Sequence, residues 1–217
     1  MITAVISARA GSRRLKDKNI LPFGDTNLLV RKIRQLKTVK GIDNIIVSSD
    51  SKEYLDMAAA EGVGVHLRDK IYSDEVSVPF GKVVKKICSE IRGEHIMWCT
   101  CTCPLTMPEH YEQAIEKYKE MIPDVYDSLL SFEKLKVFLW DNDGPMNYGL
   151  GSRHVPSQNL PDIYKPTFGI VMAPRLKMVE WEYFHGRDPY KFILDKRSSV
   201  DIDDELDMLC AKAWNAV

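Results

Sequence analysis

The segment Ala4-Val-Ile-Ser-Ala-Arg-Ala-Gly-Ser-Arg-Arg-Leu-Lys-Asp-Lys-Asn-Ile20 passes from an apolar stretch directly into a basic loop. The apolar part predicts a buried strand over residues 2–8. The loop contains two small residues, Gly11 and Ser12, and five cations, which are Arg9, Arg13, Arg14, Lys16 and Lys18. Because small residues let backbone N–H groups approach an anion and cations offset its charge, this loop indicates a polyphosphate site. The alternative is a solvated basic surface loop.

The overall composition limits the class of protein. Of the 217 residues, 45% are apolar and 28% are charged, which is typical of a globular chain with a substantial core. The 30 basic and 31 acidic residues leave a net charge of −1, so general nucleic-acid binding is not expected. The sequence shows neither an apolar run as long as a membrane span nor a signal-peptide pattern. We therefore expect no membrane partner and a cytoplasmic location.

Three of the five cysteines alternate in the segment Trp98-Cys-Thr-Cys-Thr-Cys-Pro104. An odd number of cysteines without framework spacing is typical of a reducing compartment. On a strand, this alternation would place all three thiols on one face. A metal or redox site is one interpretation, but the segment has neither a C-x-x-C pair nor a nearby histidine pattern. We interpret the thiols as small apolar residues packed under a helix.

Strands and helices alternate in the first half of the chain. The hydrophobic pattern predicts strands at residues 2–8, 44–49, 63–67 and 95–101, and helices at residues 27–38, 53–61, 79–91 and 108–122. Asp50-Ser-Lys-Glu53 is similar to a capping box that opens the second helix. Short strands separated by helices indicate parallel βαβ units.

The pattern changes after Pro123. It predicts strands at residues 128–132, 138–140, 167–173 and 191–195, helices at residues 175–183 and 205–216, a hairpin turn at 141–145 and an irregular segment at 148–163. The predicted fold is a single α/β domain over residues 1–217. It is a Rossmann-like nucleotide-binding sandwich with a mostly parallel central sheet and a small inserted arm at about residues 133–166.

A second informative segment is Ser199-Val-Asp-Ile-Asp-Asp-Glu205 near the end of the chain. Asp201 and Asp203 are two residues apart on an extended stretch, so both carboxylates project from one face. Two hard oxygen ligands suit Mg²⁺, which takes its remaining ligands from waters and substrate phosphates. The alternative is that these acids cap the last helix, a role that Asp203 or Asp204 could fill as the N-cap. Asp201 lies too far upstream to cap that helix.

A basic loop that could bind phosphates and an aspartate pair that could bind a metal together indicate a nucleotidyl-transfer reaction. Neither G-x-x-x-x-G-K-[ST] nor G-x-G-x-x-G is present, which argues against a P-loop ATPase and a dinucleotide-dependent dehydrogenase. In such a reaction Mg²⁺ neutralises the phosphates while basic side chains stabilise the departing pyrophosphate.

The chain resembles the CMP-sugar synthetases, and the acylneuraminate cytidylyltransferases in particular. Members of this family join CTP to a 2-keto-3-deoxy sugar acid and release pyrophosphate. The similar segments occur in the family's order and are Ala8-Arg-Ala-Gly-Ser-Arg-Arg-Leu-Lys-Asp-Lys-Asn19, Asn44-Ile-Ile-Val-Ser-Ser-Asp50, Leu67-Arg-Asp…Ser73-Asp-Glu-Val-Ser77 and Ser199-Val-Asp-Ile-Asp-Asp-Glu-Leu-Asp207.

The resemblance implies a set of ligand contacts. It implies that CTP is bound by Ala8, Arg9, Gly11, Ser12, Arg13 and Lys18, with Asp74 and Ser77 near the cytidine. It implies that Mg²⁺ is held by Asp201 and Asp203, which together with Arg9 and Lys18 are the residues expected to be catalytic. The acceptor contacts it implies are Thr100, Lys136, Gln158 and Lys165, and the arm is expected to join two subunits into a homodimer.

The chain departs from the family pattern mainly on the acceptor side. Where the family has Gln-Pro-Thr-Ser-Pro-Leu-Arg, this chain has Thr100-Cys-Thr-Cys-Pro-Leu-Thr106, and Lys165 replaces an arginine. A lysine lacks the planar fork with which arginine binds a carboxylate. The expected acceptor is a nonulosonate or another 2-keto-3-deoxy acid. The alternatives are an enzyme for a phosphonate or a sugar 1-phosphate, and a non-catalytic nucleotide-binding relative.

Overall fold

The computed structural model describes residues 1–12, 14–74 and 77–216. Within this part of the chain the central sheet has seven strands, β1 (Ile2–Ser7), β2 (Asn44–Ser49), β3 (Gly64–Leu67), β4 (His95–Cys99), β5 (Ser128–Leu135), β6 (Ile163–Pro174) and β7 (Pro189–Leu194). The six α-helices described are α1 (Leu28–Lys37), α2 (Lys52–Ala60), α3 (Phe80–Glu90), α4 (Pro108–Met121), α5 (Arg175–Trp181) and α6 (Glu205–Asn215). None of these helices is long and apolar enough to cross a membrane.

The strands lie in the order β7-β5-β6-β4-β1-β2-β3. Only β6 is reversed among them: it pairs antiparallel with β4 and β5, while the other neighbouring strands pair in parallel. The predicted α/β fold with a mostly parallel sheet is therefore confirmed. Because parallel strands end at the same edge of a sheet, the loops after β1, β3 and β4 come together there.

Helices cover both faces of the sheet. One core joins α1, α2, α4 and α6 to strand residues such as Ile6 and Met97, and the other joins α3 and α5 to residues such as Val5 and Trp98. Successive strand side chains point to opposite faces, so the neighbours Val5 and Ile6 belong to different cores. This arrangement is the predicted sandwich.

The alternating cysteines do not share a strand as predicted, because β4 ends at Cys99. Cys101 and Cys103 lie in the loop that follows, and all three side chains are buried and free of disulfides. Burial raises the pKa of each of these thiols to about 12, so they are uncharged at neutral pH. They pack as small apolar side chains in the interior.

The start of α2 also differs from the prediction. The N-cap is Ser51, whose hydroxyl accepts from the Tyr54 amide, and not Asp50. The Asp50 carboxylate instead accepts from the amide of Ala10 at 3.0 Å and so ties the basic loop to β2. At α6 the N-cap is Asp204, one of the two predicted candidates, in a reciprocal capping box with Asp207.

The region after Pro123 contains longer strands than predicted. β5 and β6 continue beyond the sheet core as a paired ladder that reaches Leu135 and Ile163. The segment between them contains a short hairpin in place of the predicted strand at 138–140. Its two strands, Trp140–Asp141 and Gly144–Pro145, have two residues each. The predicted turn at 141–145 is confirmed. Within β6, the pairing shifts register between Pro166 and Val171.

Candidate active site

The loops at the carboxyl edge of the sheet enclose a cleft of about 730 Å³. Its lining combines basic side chains of the first loop, called here the basic end, with Asp201 and Asp203 and with a group of aromatic rings, called here the aromatic end. This edge is where open α/β sheets bind ligands, and the volume is that of a small-molecule site.

The basic loop is fixed by backbone hydrogen bonds to its surroundings. The amide of Ala8 donates to Ser48 O at 2.9 Å, and the side-chain amide of Asn19 donates to Arg9 O at 3.1 Å. Gly11 has a φ of 68°, the left-handed conformation that favours glycine, with open space where a Cβ would stand. Arg9 and Ser12 line the cleft. Arg13 lies outside the described residues.

The two ends of the sequence meet at Asp203. Lys18 Nζ donates to Asp203 Oδ1 at 3.0 Å and to Ile202 O at 2.6 Å, and Arg14 Nη2 lies 2.9 Å from the same Oδ1. Burial opposes ionisation of Asp203, but Lys18 and Arg14 outweigh it and hold the pKa of this carboxyl below its usual value. The first and last predicted motifs therefore form one charged cluster.

Asp201 lies beside this cluster, but its carboxylate is more buried and has fewer partners than that of Asp203. Its Oδ1 is buried and has no hydrogen-bond partner within the described part of the chain. Burial raises the pKa of Asp201 above its ordinary value, while a hydrogen bond with Thr102 opposes the rise and the charge of Asp203 adds to it. An unsatisfied carboxylate oxygen in a charged cleft is a costly arrangement that a bound cation would relieve.

The two carboxylates fit a magnesium ion that shares its coordination with a substrate. Across the described residues, no group of three or more His, Cys, Asp or Glu side chains is arranged as a metal site. Mg²⁺ commonly takes one or two protein carboxylates and completes its shell with waters and phosphates. Asp201 and Asp203 match that smaller ligand set.

Arg68 is a cleft residue to which the sequence analysis assigned no role. It is 3% exposed, and its Nη1 donates to the hydroxyl of Ser7 at 2.8 Å. Its Nε is buried without a partner among the described residues, as is the hydroxyl of Ser73, and both side chains line the cleft. These unsatisfied groups can bind a polar ring. A signal was present, because Arg68 lies inside the quoted Leu67-Arg-Asp segment.

The predicted cytidine contacts, Asp74 and Ser77, lie next to the cleft without lining it. The hydroxyl of Ser77 donates to the Asp74 carboxylate, and the amide of Val78 donates to Asp74 O at 3.0 Å. Their neighbours Ser73 and Val78 do line the cleft.

Aromatic side chains form the far wall of the cleft. The ring of Phe80 lies 6.0 Å from that of Trp98, 5.9 Å from that of Tyr183 and 5.0 Å from that of Phe184, each in an edge-to-face arrangement. Phe168 stacks on Phe184 with ring centroids 5.4 Å apart. Sequence reasoning missed this wall because its members come from separate elements and each one reads as a core residue.

The predicted acceptor residues are only partly brought together. Thr100 lines the cleft, and its hydroxyl donates to Cys103 Sγ at 3.2 Å. Lys136 pairs with Asp162 at 2.7 Å, Lys165 lies 3.7 Å from Glu133, and neither of these lysines lines the cleft. Gln158 is exposed in the arm, on the short turn Ser157–Asn159, and is likewise outside the lining.

A family model described as cytidylyltransferase matches residues 3–142. The chain belongs to this family. The predicted resemblance and the predicted nucleotidyltransferase class are therefore confirmed.

Two curated relatives of this cytidylyltransferase extend the match over most of the chain. An N-acylneuraminate cytidylyltransferase of Escherichia coli is 26% identical over 211 residues, which cover 95% of this chain and 50% of that protein. A pseudaminic acid cytidylyltransferase of Campylobacter jejuni is 25% identical over 218 residues, which cover 96% of this chain and 93% of that protein. The chain thus spans half the length of the first relative and nearly all of the second.

Solved structures show the same fold. The CMP:2-keto-3-deoxy-manno-octonic acid synthetase complexed with CTP superposes on this cytidylyltransferase with a TM-score of 0.75 and 11% identity, covering 99% of this chain and 98% of that one. A 4-diphosphocytidyl-2C-methyl-D-erythritol synthase from Anaerococcus prevotii gives a TM-score of 0.69 at 15% identity, covering 100% and 98%. At these identities the likeness establishes the architecture alone.

Proposed function

We propose that this chain binds CTP with Mg²⁺ and transfers CMP to a hydroxyl group of a sugar acid, with release of pyrophosphate. The observation that carries the proposal is the meeting of Lys18, Arg14 and Asp203 beside the unsatisfied carboxylate of Asp201 in one cleft. The names of the curated relatives, which act on acylneuraminic and pseudaminic acids, support a sugar acid as acceptor.

The triphosphate is assigned to the basic end of the cleft. Lys18 is 15% exposed and Arg14 69%, so one cation is fixed in the wall while the other can move to a ligand. Gly11 leaves open space beside the loop backbone, where N–H groups can approach a phosphate. Both cations pair with Asp203, whose single negative charge offsets one of their two positive charges and holds the side chains in place around the site.

The cytosine ring is assigned to the pocket that contains Arg68. Cytosine presents a carbonyl oxygen and a ring nitrogen as adjacent acceptors, and a guanidinium presents several donors in a planar fork. Arg68 is anchored by Ser7 but retains an unsatisfied Nε. A buried donor without a partner costs about 1–3 kcal/mol, so a base that accepts this hydrogen bond is favoured over one that does not.

The transfer step needs positioning and charge stabilisation more than a dedicated proton acceptor. The acceptor hydroxyl oxygen forms a bond to the α-phosphorus of CTP, the bond from that phosphorus to the bridging oxygen breaks, and the hydroxyl proton passes to solvent. Lys18 and Arg14 stabilise the negative charge on the leaving pyrophosphate. Asp201 and Asp203 would hold Mg²⁺, which when bound supplies charge neutralisation and lowers the pKa of the acceptor hydroxyl.

The arm supports assembly into a homodimer. Its exposed apolar side chains include Phe138, Trp140, Met146 and Leu150, which are 42–61% exposed. The ring of Phe138 also stacks on His154, with centroids 5.2 Å apart. A cluster of this kind on one excursion is typical of a protein interface. Light scattering of the wild type should give the mass of a dimer, and Trp140→Asp should give the monomer mass.

The central test is pyrophosphate release from CTP. N-acetylneuraminic acid, pseudaminic acid and 2-keto-3-deoxyoctonic acid are supplied in turn with Mg²⁺, and a sugar 1-phosphate and a phosphonate serve as the competing acceptors. At least one sugar acid should sustain turnover, and thermal stabilisation by CTP with Mg²⁺ should exceed that by UTP or ATP. Turnover with only the sugar 1-phosphate or the phosphonate would overturn the assignment of a sugar acid as acceptor. CTP binding without any turnover would indicate a non-catalytic relative.

A further inference from the structure

A second cavity of about 800 Å³ opens beside the aromatic end of the cleft. The two cavities have Phe168 and Tyr183 in common, so these two side chains stand at the boundary. The second cavity continues over apolar side chains of β5 and the end of α5, including Phe132 and Trp181. It also contains His185 and Arg187, from the loop that leads into β7.

The boundary residue Phe168 is held in an unusual backbone conformation. Its φ is 55°, in the left-handed region that side-chain-bearing residues seldom adopt, and it lies where β6 shifts register against β5. The hydroxyl of Thr100 lies 3.5 Å from its carbonyl oxygen. Strain of this kind persists only where the surrounding structure maintains it, and it is concentrated at functional sites. Here it places an aromatic ring between the two cavities.

The loop that carries Arg187 is rigidly built. Asp127 Oδ2 accepts from the Asp188 amide at 2.9 Å, Asp127 Oδ1 accepts from the Ser128 hydroxyl at 2.6 Å, and that hydroxyl accepts from the Gly186 amide at 3.0 Å. A Cβ on Gly186 would lie 2.2 Å from Asp127 Oδ2, so a side chain at this position would displace the Asp127 carboxylate from its hydrogen bonds. Both oxygens of the Asp127 carboxylate therefore accept hydrogen bonds that hold the loop. Arg187 itself has no hydrogen-bond or ion-pair partner among the described residues.

The lysines predicted to contact the acceptor stand elsewhere. Lys165 and Glu133 are register partners, and so are Pro166 and Phe132. Because neighbouring strand residues point to opposite faces, Lys165 lies on the face away from Pro166 and Phe132, which line the second cavity. Lys136 is paired with Asp162. In the described residues that line the two cavities, the basic groups beyond the nucleotide end are His185 and Arg187.

We propose that the second cavity receives the body of the acceptor and that Arg187 binds its carboxylate. The proposal rests on the function proposed above and deepens it. The acceptor lies across Phe168, with its reacting hydroxyl in the cleft near Asp201 and its acid group at the loop before β7. A guanidinium binds a carboxylate through two parallel hydrogen bonds, which Lys165 could not provide. The apolar walls suit acids that carry deoxy or acylamido groups.

The test measures pyrophosphate release with the sugar acid that sustains turnover, at saturating CTP, and with its neutral carboxamide. Arg187→Met should raise the KM for the acid about 10- to 100-fold, the range expected for losing a hydrogen bond to a charged group. It should remove most of the preference for acid over carboxamide and leave the KM for CTP within about twofold. Arg187→Lys should recover part of the loss. Lys177→Met, a surface lysine paired with Glu180, is the matched control and should leave all three values unchanged.

Two results would overturn this assignment while the proposed function stands. One is an unchanged acid preference in Arg187→Met, and the other is a loss of that preference in Lys165→Met instead. If no acid is turned over, the three sugar acids are titrated into the CTP-bound protein while tryptophan fluorescence is followed. Binding that is lost in Arg187→Met would support the site although catalysis failed, and equal or absent binding in both proteins would reject it.

Discussion

The two ends of the cleft are built in opposite ways. The nucleotide end consists of charged side chains from two short segments, held by hydrogen bonds to backbone atoms and to Asp203. The aromatic end, to which the acceptor is assigned, consists of rings from α3, β4, β6 and the segment after α5, held by edge-to-face and stacked packing. Under the proposed function, charge would meet the polyphosphate and apolar shape would meet the sugar derivative. Substitutions at the basic end should therefore change the KM for CTP, and substitutions at the aromatic end should change the KM for the acceptor.

The largest effect is expected at Asp201, whose carboxylate lies beside the charged cluster of Lys18 and Asp203. Asp201→Asn keeps the size of the side chain but removes the charge that would hold Mg²⁺, so the kcat for pyrophosphate release should fall about 10³-fold with every acceptor. The KM for the acceptor should change little. Circular dichroism and thermal unfolding establish that the variant is folded. A kcat within tenfold of the wild type would contradict the metal assignment.

The nucleotide end is tested by two lysines in the same loop. Lys18 lines the cleft and is largely buried, whereas Lys16 is exposed and outside the lining. Lys18→Met should lower kcat/KM for CTP about 10²-fold, because a preorganised charge is removed from the phosphate site. Lys16→Met should stay within about threefold.

Equal losses in the two variants would mean that the loop acts through its total charge and not through placed side chains. The salt dependence separates these cases, because screening weakens exposed charges much more than buried ones. The wild type, Lys16→Met and Lys18→Met are therefore compared at low and high ionic strength, with the KM for CTP as the measurement.

The fold was largely predictable from the sequence because it depends on hydrophobic periodicity. The six helices described begin and end within one residue of the predicted limits, apart from α5, which ends two residues early because Glu182 takes a left-handed conformation. The predicted strand at 95–101 extended two residues beyond the end of β4 because Cys101, although it lies in a loop, is as buried as a strand residue. Burial pattern alone cannot distinguish these two situations.

The site was predictable only where charge was concentrated. Lys18 and Asp203 were found because each belongs to a charged segment, and their contact follows from the common edge of the sheet. Arg68 was missed although it lies in the quoted Leu67-Arg-Asp segment, because the local sequence does not show that this arginine is buried in the cleft wall. Lys165 was expected at the acceptor by resemblance, but the strand register turns it towards Glu133. This register depends on how the strands pair across the sheet, so the local sequence alone does not predict it.

The buried Lys32 allows a test of how stability depends on pH. Lys32 is 0% exposed, and its Nζ donates to Cys103 O at 2.9 Å and to the Tyr111 hydroxyl at 2.6 Å. Burial lowers the pKa of Lys32 from 10.5 to about 8. Because the unfolded chain then binds more protons between these values, the free energy of unfolding should rise with pH across that window.

The expected gain is about 2 kcal/mol between pH 8 and 9.5, at about 1.4 kcal/mol per pH unit. The buried thiols act in the opposite direction because burial raises their pKa, so the measurement is the difference between the wild type and Lys32→Met. Urea unfolding at the two pH values gives this difference. A difference that does not change with pH would show that the pKa of Lys32 is the same in the folded and the unfolded protein.

The smallest effect is expected at the aromatic end. Phe80 is 42% exposed at the start of α3, so truncating it should leave the fold intact while removing a ring from the wall of the cleft. Phe80→Ala should raise the KM for the acceptor about 5- to 10-fold, the worth of one aromatic contact, with the KM for CTP unchanged. Leu176→Ala, which alters an exposed side chain on α5 outside the cleft, is the control. A parallel rise in the KM for CTP would show that the two ends are not independent, because the aromatic wall would then shape the nucleotide site as well.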